Sequence, residues 1–180
     1  KVYSGRGALE AIGSGVEVLP GDLAFRCNFA TVNEDFVVLD RRAGRIATED
    51  AAKLAASLQK IKLEKPSAEF LFKNTIQHRA ILVIRGPKLS RAVSDSDPEK
   101  VGEKVLEIKA LEACPEAKLT AKILNELMRK FHKVLKEHPV NKERAKRGLP
   151  PANIVLCRGA GTIPNIKPLS EIYGINAACI

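Results

Sequence analysis

The sequence predicts an α/β fold: a mixed sheet of about five to seven strands flanked by helices, one of them long and amphipathic. Three observations carry this expectation. Residues 23–32 alternate, so that Phe25, Cys27 and Phe29 share one face and Ala24, Arg26, Asn28 and Ala30 the other, which is the two-residue repeat of a strand. Residues 118–137 set Leu119, Ile123, Leu127, Phe131, Val134 and Leu135 along one stripe, the spacing of a helix with one buried side. Elsewhere hairpin-like and helix-linked strands interleave, which is why the sheet is expected to be mixed.

The elements follow in order. Residues 5–22 are rich in glycine (Gly5, Gly7, Gly13, Gly15, Gly21) around a short helical patch at 8–12. Gly5-Arg6-Gly7 reads either as backbone N–H groups offered to an anion or as a tight connection. The strand 23–32 turns at Asn33-Glu34-Asp35 into a partner at 36–40. Asp40-Arg41-Arg42-Ala43-Gly44-Arg45 forms the next turn. Thr48 suits an N-cap, with Glu49 and Asp50 in a first turn that favours acids, and the helix runs to about Lys60. Residues 69–74 and 80–85 are strands with His78-Arg79 at their junction. A polar loop spans 86–104, a strand 105–111, and Pro139 stops the long helix. A short basic helix at 141–148, a strand at 153–157 and a last strand at 175–180 complete the chain.

Composition narrows the function. The chain has 180 residues, 45% hydrophobic and 28% charged, which fits one domain with a real core and excludes disorder. No apolar run approaches the ~20 residues of a membrane span and no signal peptide opens the chain, so a cytoplasmic protein without a membrane partner is expected. Cys27, Cys114, Cys157 and Cys179 are far apart in apolar surroundings. They read as buried free thiols of a reducing compartment, not as a zinc site. The chain starts at Lys1 and stops at Cys179-Ile180 within an apolar stretch, which suggests an excised piece.

Thirty Lys and Arg against twenty-one Asp and Glu give a formal charge of +9. Placement gives that charge meaning. Arg129, Arg144 and Arg147 fall on predicted helices and read as a solvated basic face. Arg26, Arg41, Arg42, Arg45, Arg79, Arg85 and Arg158 fall within strands or at their ends, where a guanidinium is costly to bury unless an anion or carboxylate meets it. The planar fork of arginine matches phosphate and carboxylate oxygens two at a time. Converging, these residues would hold a small, multiply charged anion. Separately, they would pair with Asp40, Asp95 or Asp97. His78 is the histidine to place near such a ligand, as a donor or proton carrier, with a structural hydrogen bond as the alternative. Asp95 and Asp97 suit substrate hydroxyls, arginine orientation or turn capping, and are too few for a hard cation. No Walker loop, zinc motif or Ser-His-Asp set occurs.

Segments spread along the chain resemble the archaeal-type 2,3-bisphosphoglycerate-independent phosphoglycerate mutases of the alkaline phosphatase superfamily. They include Gly21-Asp-Leu-Ala-Phe-Arg-Cys-Asn-Phe-Ala-Thr31, Asp40-Arg-Arg-Ala-Gly-Arg45 and His78-Arg-Ala-Ile-Leu-Val-Ile-Arg-Gly86. Val93-Ser-Asp-Ser-Asp-Pro98, Gly148-Leu-Pro-Pro-Ala-Asn153 and Arg158-Gly-Ala-Gly161 continue the series in order. The resemblance implies the substrate-binding domain, residues 1–180, inserted in a larger two-domain metalloenzyme, with 1–22 and 175–180 near the junctions. It implies interconversion of 3-phosphoglycerate and 2-phosphoglycerate through a phosphoserine, and two divalent metal ions (Mn, Zn or Mg). Serine and metals would lie outside this chain, with no need for 2,3-bisphosphoglycerate. Arg26, Arg41, Arg45, His78, Arg79, Asp95 and Asp97 are then the expected substrate-binding residues, with no catalytic or metal-binding residue in this chain. The expected partners are phosphoglycerate and the catalytic domain, with no nucleic acid. The alternative is a basic nucleic-acid-binding module, disfavoured by few aromatic residues and no known motif, or a protein-interaction module, which would hold no anion at the strand-end arginines.

Overall fold

Two aromatic side chains of one strand decide where the core lies. In the computed structural model, which describes residues 5–64, 68–163 and 169–175, Phe25 and Phe29 of β1 (Leu23–Val32) are almost fully buried. They face two helices, α2 (Thr48–Leu58) and α3 (Pro115–Glu137). Leu54 and Leu58 from α2, and Leu124, Leu127, Phe131 and Leu135 from α3, fill the space between. Phe72 sets its ring edge-on to both Phe29 (centroids 5.8 Å apart) and Phe131 (5.1 Å). Each buried side chain of this size contributes about 1.5–3 kcal/mol.

The sheet runs β3 (Glu69–Asn74), β4 (Arg79–Arg85), β1, then β5 (Ile154–Gly161), with the short β2 (Val38–Asp40) also beside β1. Every pairing among the described strands is antiparallel. The helical crossovers behind the expectation of a mixed sheet do exist, but each skips a strand. The β1–α2–β3 connection leaves β4 between its strands, and β4–α3–β5 leaves β1 between. Setting β2 aside, the order β-α-β-β-α-β with two split crossovers is the ferredoxin-like pattern. It covers one face of the sheet with both helices and leaves the other to smaller pieces.

On that second face α1 (Arg6–Gly13) packs over Ala24, Ile81 and Val83. The glycines at its start allow direct seating: a methyl group at Gly7 would lie 2.0 Å from the Ala24 carbonyl oxygen. The tight connection is thus the role of Gly5-Arg6-Gly7. β5 would be an open edge, but residues 92–111 strap it. Ser96 donates its N–H to the Cys157 carbonyl (2.9 Å) and its Oγ accepts the Cys157 N–H (2.8 Å). Residues 105–111 form no strand, contrary to expectation: Ile108 gives its N–H to the Asn125 side chain and Leu106 gives its own to Ser96.

Other boundaries shift for local reasons. α2 is capped by Ala47, because the Thr48 hydroxyl instead accepts the N–H of Gln77 at 3.0 Å. α3 starts three residues early, at Pro115, where the missing N–H costs nothing. It ends where His138, extended before Pro139, caps α4 (Pro139–Lys146) through Nδ1. The expected hairpin partner at 36–40 contributes only Val38–Asp40. α5 (Leu169–Tyr173) follows β5. Of the last expected strand, 176–180 lie outside the described residues. Cys27 and Cys157 are buried, Cys114 is partly exposed, and Cys179 also lies outside the described residues.

Candidate anion-binding site

The face of β1 opposite the aromatic core carries Arg26 and Asn28. Register brings Arg158 of β5 opposite Arg26, and Arg79 of β4 opposite Asn28. The strand repeat therefore puts three arginines and an asparagine from three strands on one surface. Two loops close over it. The turn after β2 supplies Arg41, Arg42 and Arg45, and the β3–β4 connection supplies Gln77 and His78. Together these nine residues line a cavity of about 320 Å³.

The turn holds an unusual backbone. Ala43, Gly44 and Arg45 have φ of 46°, 62° and 52°, a left-handed run that costs energy for residues with a Cβ. It persists because its polar groups are fixed from both sides. The Asp40 carboxylate accepts the N–H groups of Arg42 and Gly44, both at 2.7 Å. Arg144 donates to the Ala43 carbonyl at 2.7 Å and to that of Pro150 at 2.9 and 3.1 Å. Arg144, expected on a solvated face, is 4% exposed. One carbonyl partner, Ala43, lies 101 positions away and the other, Pro150, just past the helix, so neither is visible to helix periodicity.

Charge is unevenly balanced around the cavity. Arg41 is held by a two-pronged bond to Asp97 (3.0 and 2.7 Å), which raises its pKa. Arg158 lies 3.8 Å from Asp97 and 3.6 Å from Glu99, and Arg26 pairs with Glu10. Arg42, Arg45 and Arg79 form no salt bridge among the described residues. Beside them His78 is 9% exposed and its Nδ1 has no hydrogen-bond partner among the described residues. Burial lowers its pKa first, and the Arg42 and Arg79 charges lower it further. A neutral imidazole among unpaired guanidiniums leaves net positive charge in a confined space, the setting for a small anion with several oxygens.

Of the residues singled out from sequence, Arg26, Arg41, Arg45, His78 and Arg79 come together. Asp97 and Asp95 do not join them in the lining. Asp97 sits behind Arg41, and Asp95 accepts the Gly159 N–H at 2.9 Å in an adjoining recess that also contains Arg6. Its pKa is raised, chiefly by burial. Four lining residues fall outside the expected substrate-binding set: Arg42 and Arg158, already noted among the strand-end arginines, and Asn28 and Gln77. For Asn28 the signal was strand alternation, which puts it on the Arg26 face; Arg158 reaches that face only through the β1–β5 register.

The 2,3-bisphosphoglycerate-independent phosphoglycerate mutase family model matches residues 1–141. The chain is 52% identical over its whole length to 2,3-bisphosphoglycerate-independent phosphoglycerate mutase 1 of Methanocaldococcus jannaschii, and spans 43% of that protein. It is 49% identical to 2,3-bisphosphoglycerate-independent phosphoglycerate mutase of Methanopyrus kandleri, again spanning 43% of it. Among solved structures, a cofactor-independent phosphoglycerate mutase from Thermoplasma acidophilum superposes with a TM-score of 0.82 at 41% identity. That match covers 94% of this chain and 44% of the other. The chain thus spans less than half the length of these relatives, and it belongs to the 2,3-bisphosphoglycerate-independent phosphoglycerate mutase family.

Proposed function

We propose that this chain is the substrate-binding domain of a two-domain phosphoglycerate mutase, gripping the phosphoglycerate while a catalytic domain transfers the phosphoryl group. The observation that carries this reading is the cavity where Arg42, Arg45 and Arg79 stand without salt bridges to any described residue around buried His78. Phosphoglycerate presents a phosphate and a carboxylate on a three-carbon frame, two groups that arginine forks bind in pairs. Arg41, braced by Asp97, and Arg26 and Arg158 at the strand rung form the fixed side of the clamp. Arg42, Arg45 and Arg79 supply the charge that the ligand neutralises.

The reaction explains why a clamp is needed. Moving a phosphoryl group between two hydroxyls of one molecule leaves a glycerate that must turn over without escaping. A grip on its carboxylate keeps it at high effective concentration. A domain closing over the centre also excludes water, which would otherwise hydrolyse the phosphorylated enzyme. Among the described residues no three His, Cys, Asp or Glu side chains are grouped to hold a metal. The two divalent ions that the resemblance implies belong, in this reading, to the rest of the full-length protein, where they would stabilise charge on the transferring phosphoryl group. This chain's own part is to bind, orient and shield.

No helix among the described residues is long and apolar enough to cross a membrane. The lining contains no Phe, Tyr or Trp on which a base could stack, which favours a small anion over a nucleic acid. Titration of the full-length protein with 3-phosphoglycerate, wild type against Arg79→Gln, tests the reading. Weakening of about tenfold or more is expected for the loss of one charge-assisted contact; equal affinity sinks it. The 180-residue chain alone is expected to bind without catalysing, and mutase turnover from it would count against the division of labour.

A further inference from the structure

The sulfur atoms of Cys27 and Cys157 lie 3.0 Å apart in the core, on the face of the sheet away from the arginines. The two residues are direct partners in the antiparallel β1–β5 ladder. Their backbones do not bond each other. Cys157 directs both N–H and C=O outward, to Ser96. Phe29, two residues after Cys27, gives its N–H to His78 on the β4 side, and Cys27 shares that orientation because the pattern repeats every second residue. The rung is therefore a non-hydrogen-bonded one, where facing Cα atoms approach to about 4.5 Å and the side chains come closest. That separation lies within the range a disulfide spans, roughly 4.4–6.8 Å.

We infer that Cys27 and Cys157 are a latent cross-strand disulfide site, closed by exchange with a small-molecule disulfide of the glutathione type. One thiolate attacks the small disulfide, forms a mixed disulfide and releases one small thiolate. The second cysteine sulfur, having lost its proton, attacks the protein sulfur of that intermediate and releases the other. Two electrons pass from the cysteines to the small disulfide, and the two protons end on the two released thiols. Both cysteines are almost fully buried, and burial together with the neighbouring Cys157 thiol holds Cys27 protonated. Exchange on the folded protein therefore waits for the β1–β5 pair to open, whereas a chain folding in the presence of the oxidant closes the bond readily.

The bond would join residues 130 positions apart, a closure that restricts the unfolded chain strongly. It also fixes the rung beside Arg26 and Arg158, part of the anion cavity.

The test is to refold the full-length protein with excess oxidised glutathione and measure the intact mass and a non-reducing peptide map. The expected result is a species lighter by two hydrogen atoms, with the Cys27 and Cys157 peptides linked. Its thermal midpoint should exceed that of the reduced protein by on the order of 5–10 °C. Cys27→Ser and Cys157→Ser should each abolish the link. The wild-type map is decisive by itself, whether or not either variant folds. Free thiols at both positions, a stable glutathione adduct on either, or pairing with another cysteine would overturn the inference.

Discussion

Strand β4 begins and ends in arginine, and its two ends have opposite surroundings. At the far end Arg85 meets Asp22, whose side chain is 3% exposed, through three contacts of 2.8 to 3.2 Å. At the near end Arg79 has no salt bridge among the described residues and stands with Arg42 and Arg45 around His78. The same side chain is a structural tie in one place and an unbalanced charge in the other. What differs is the neighbour, which register and loops supply. Unbalanced positive charge held together at one end of a sheet, against repulsion, is what the proposed binding surface rests on; the balanced end is an anchor.

Substitutions that remove charge from each end should separate these roles. The largest effect is expected from Arg42→Gln with Arg79→Gln in the full-length protein. Losing two charge-assisted contacts should weaken phosphoglycerate binding by about 100-fold or more. The thermal midpoint should hold or rise, because repulsion is relieved. A large fall in stability with unchanged affinity would reverse the comparison.

Asp97→Asn is the intermediate case, since Arg41 lines the cavity yet depends on a buried carboxylate. Stability should drop by about 1–3 kcal/mol as that partner is weakened, measured by denaturant unfolding, and affinity should fall about tenfold as Arg41 loses its bracing. Loss of stability alone would make Arg41 purely structural. At the anchored end, Arg85→Gln should lower the thermal midpoint modestly and leave affinity as it was. A Kd shift matching that of Arg79→Gln would erase the distinction between the ends.

The smallest effect concerns pH. His78 and His138 both have folded-state pKa values lowered, each first by burial, whereas in the unfolded chain histidine titrates near 6.5. As pH falls below about 6.5 the unfolded chain binds protons that the folded one declines, so stability decreases toward acid. Above that value neither histidine contributes a slope. Each accounts for at most about 1.4 kcal/mol per pH unit. Thermal midpoints between pH 8 and 5.5 should show the decline, and His78→Asn should flatten part of it. Bound phosphoglycerate should flatten it too, by offsetting the Arg42 and Arg79 charges; an identical slope in all three samples would refute the assignment.

Local pattern made part of this legible in the sequence. The alternation of 23–32 gave β1 and its two faces, and the stripe of 118–137 gave most of α3. The arginines of the cavity stood out because a guanidinium within a strand needs a reason to be there. What escaped depended on contacts between distant residues. Asp97 meets Arg41 56 positions away, and Arg144 reaches Ala43 across 101. Thr48 abandons its own helix for Gln77. Skipped strands, which turn both crossovers into antiparallel neighbours, likewise leave no trace in hydrophobic spacing. The strap at 92–111 bonds through side chains and scattered backbone groups, so it carries no repeat to read.

The left-handed run at Ala43, Gly44 and Arg45 has a kinetic consequence. Because Asp40 and Arg144 already wind that turn, its backbone requires no rearrangement before an encounter, and only the side chains need to swing. An approaching multiply charged anion meets a standing positive potential, felt in dilute buffer well beyond contact distance and screened within about 8 Å at physiological ionic strength. Capture should therefore slow steeply as salt is added, while escape, governed by the short contacts inside, should change far less.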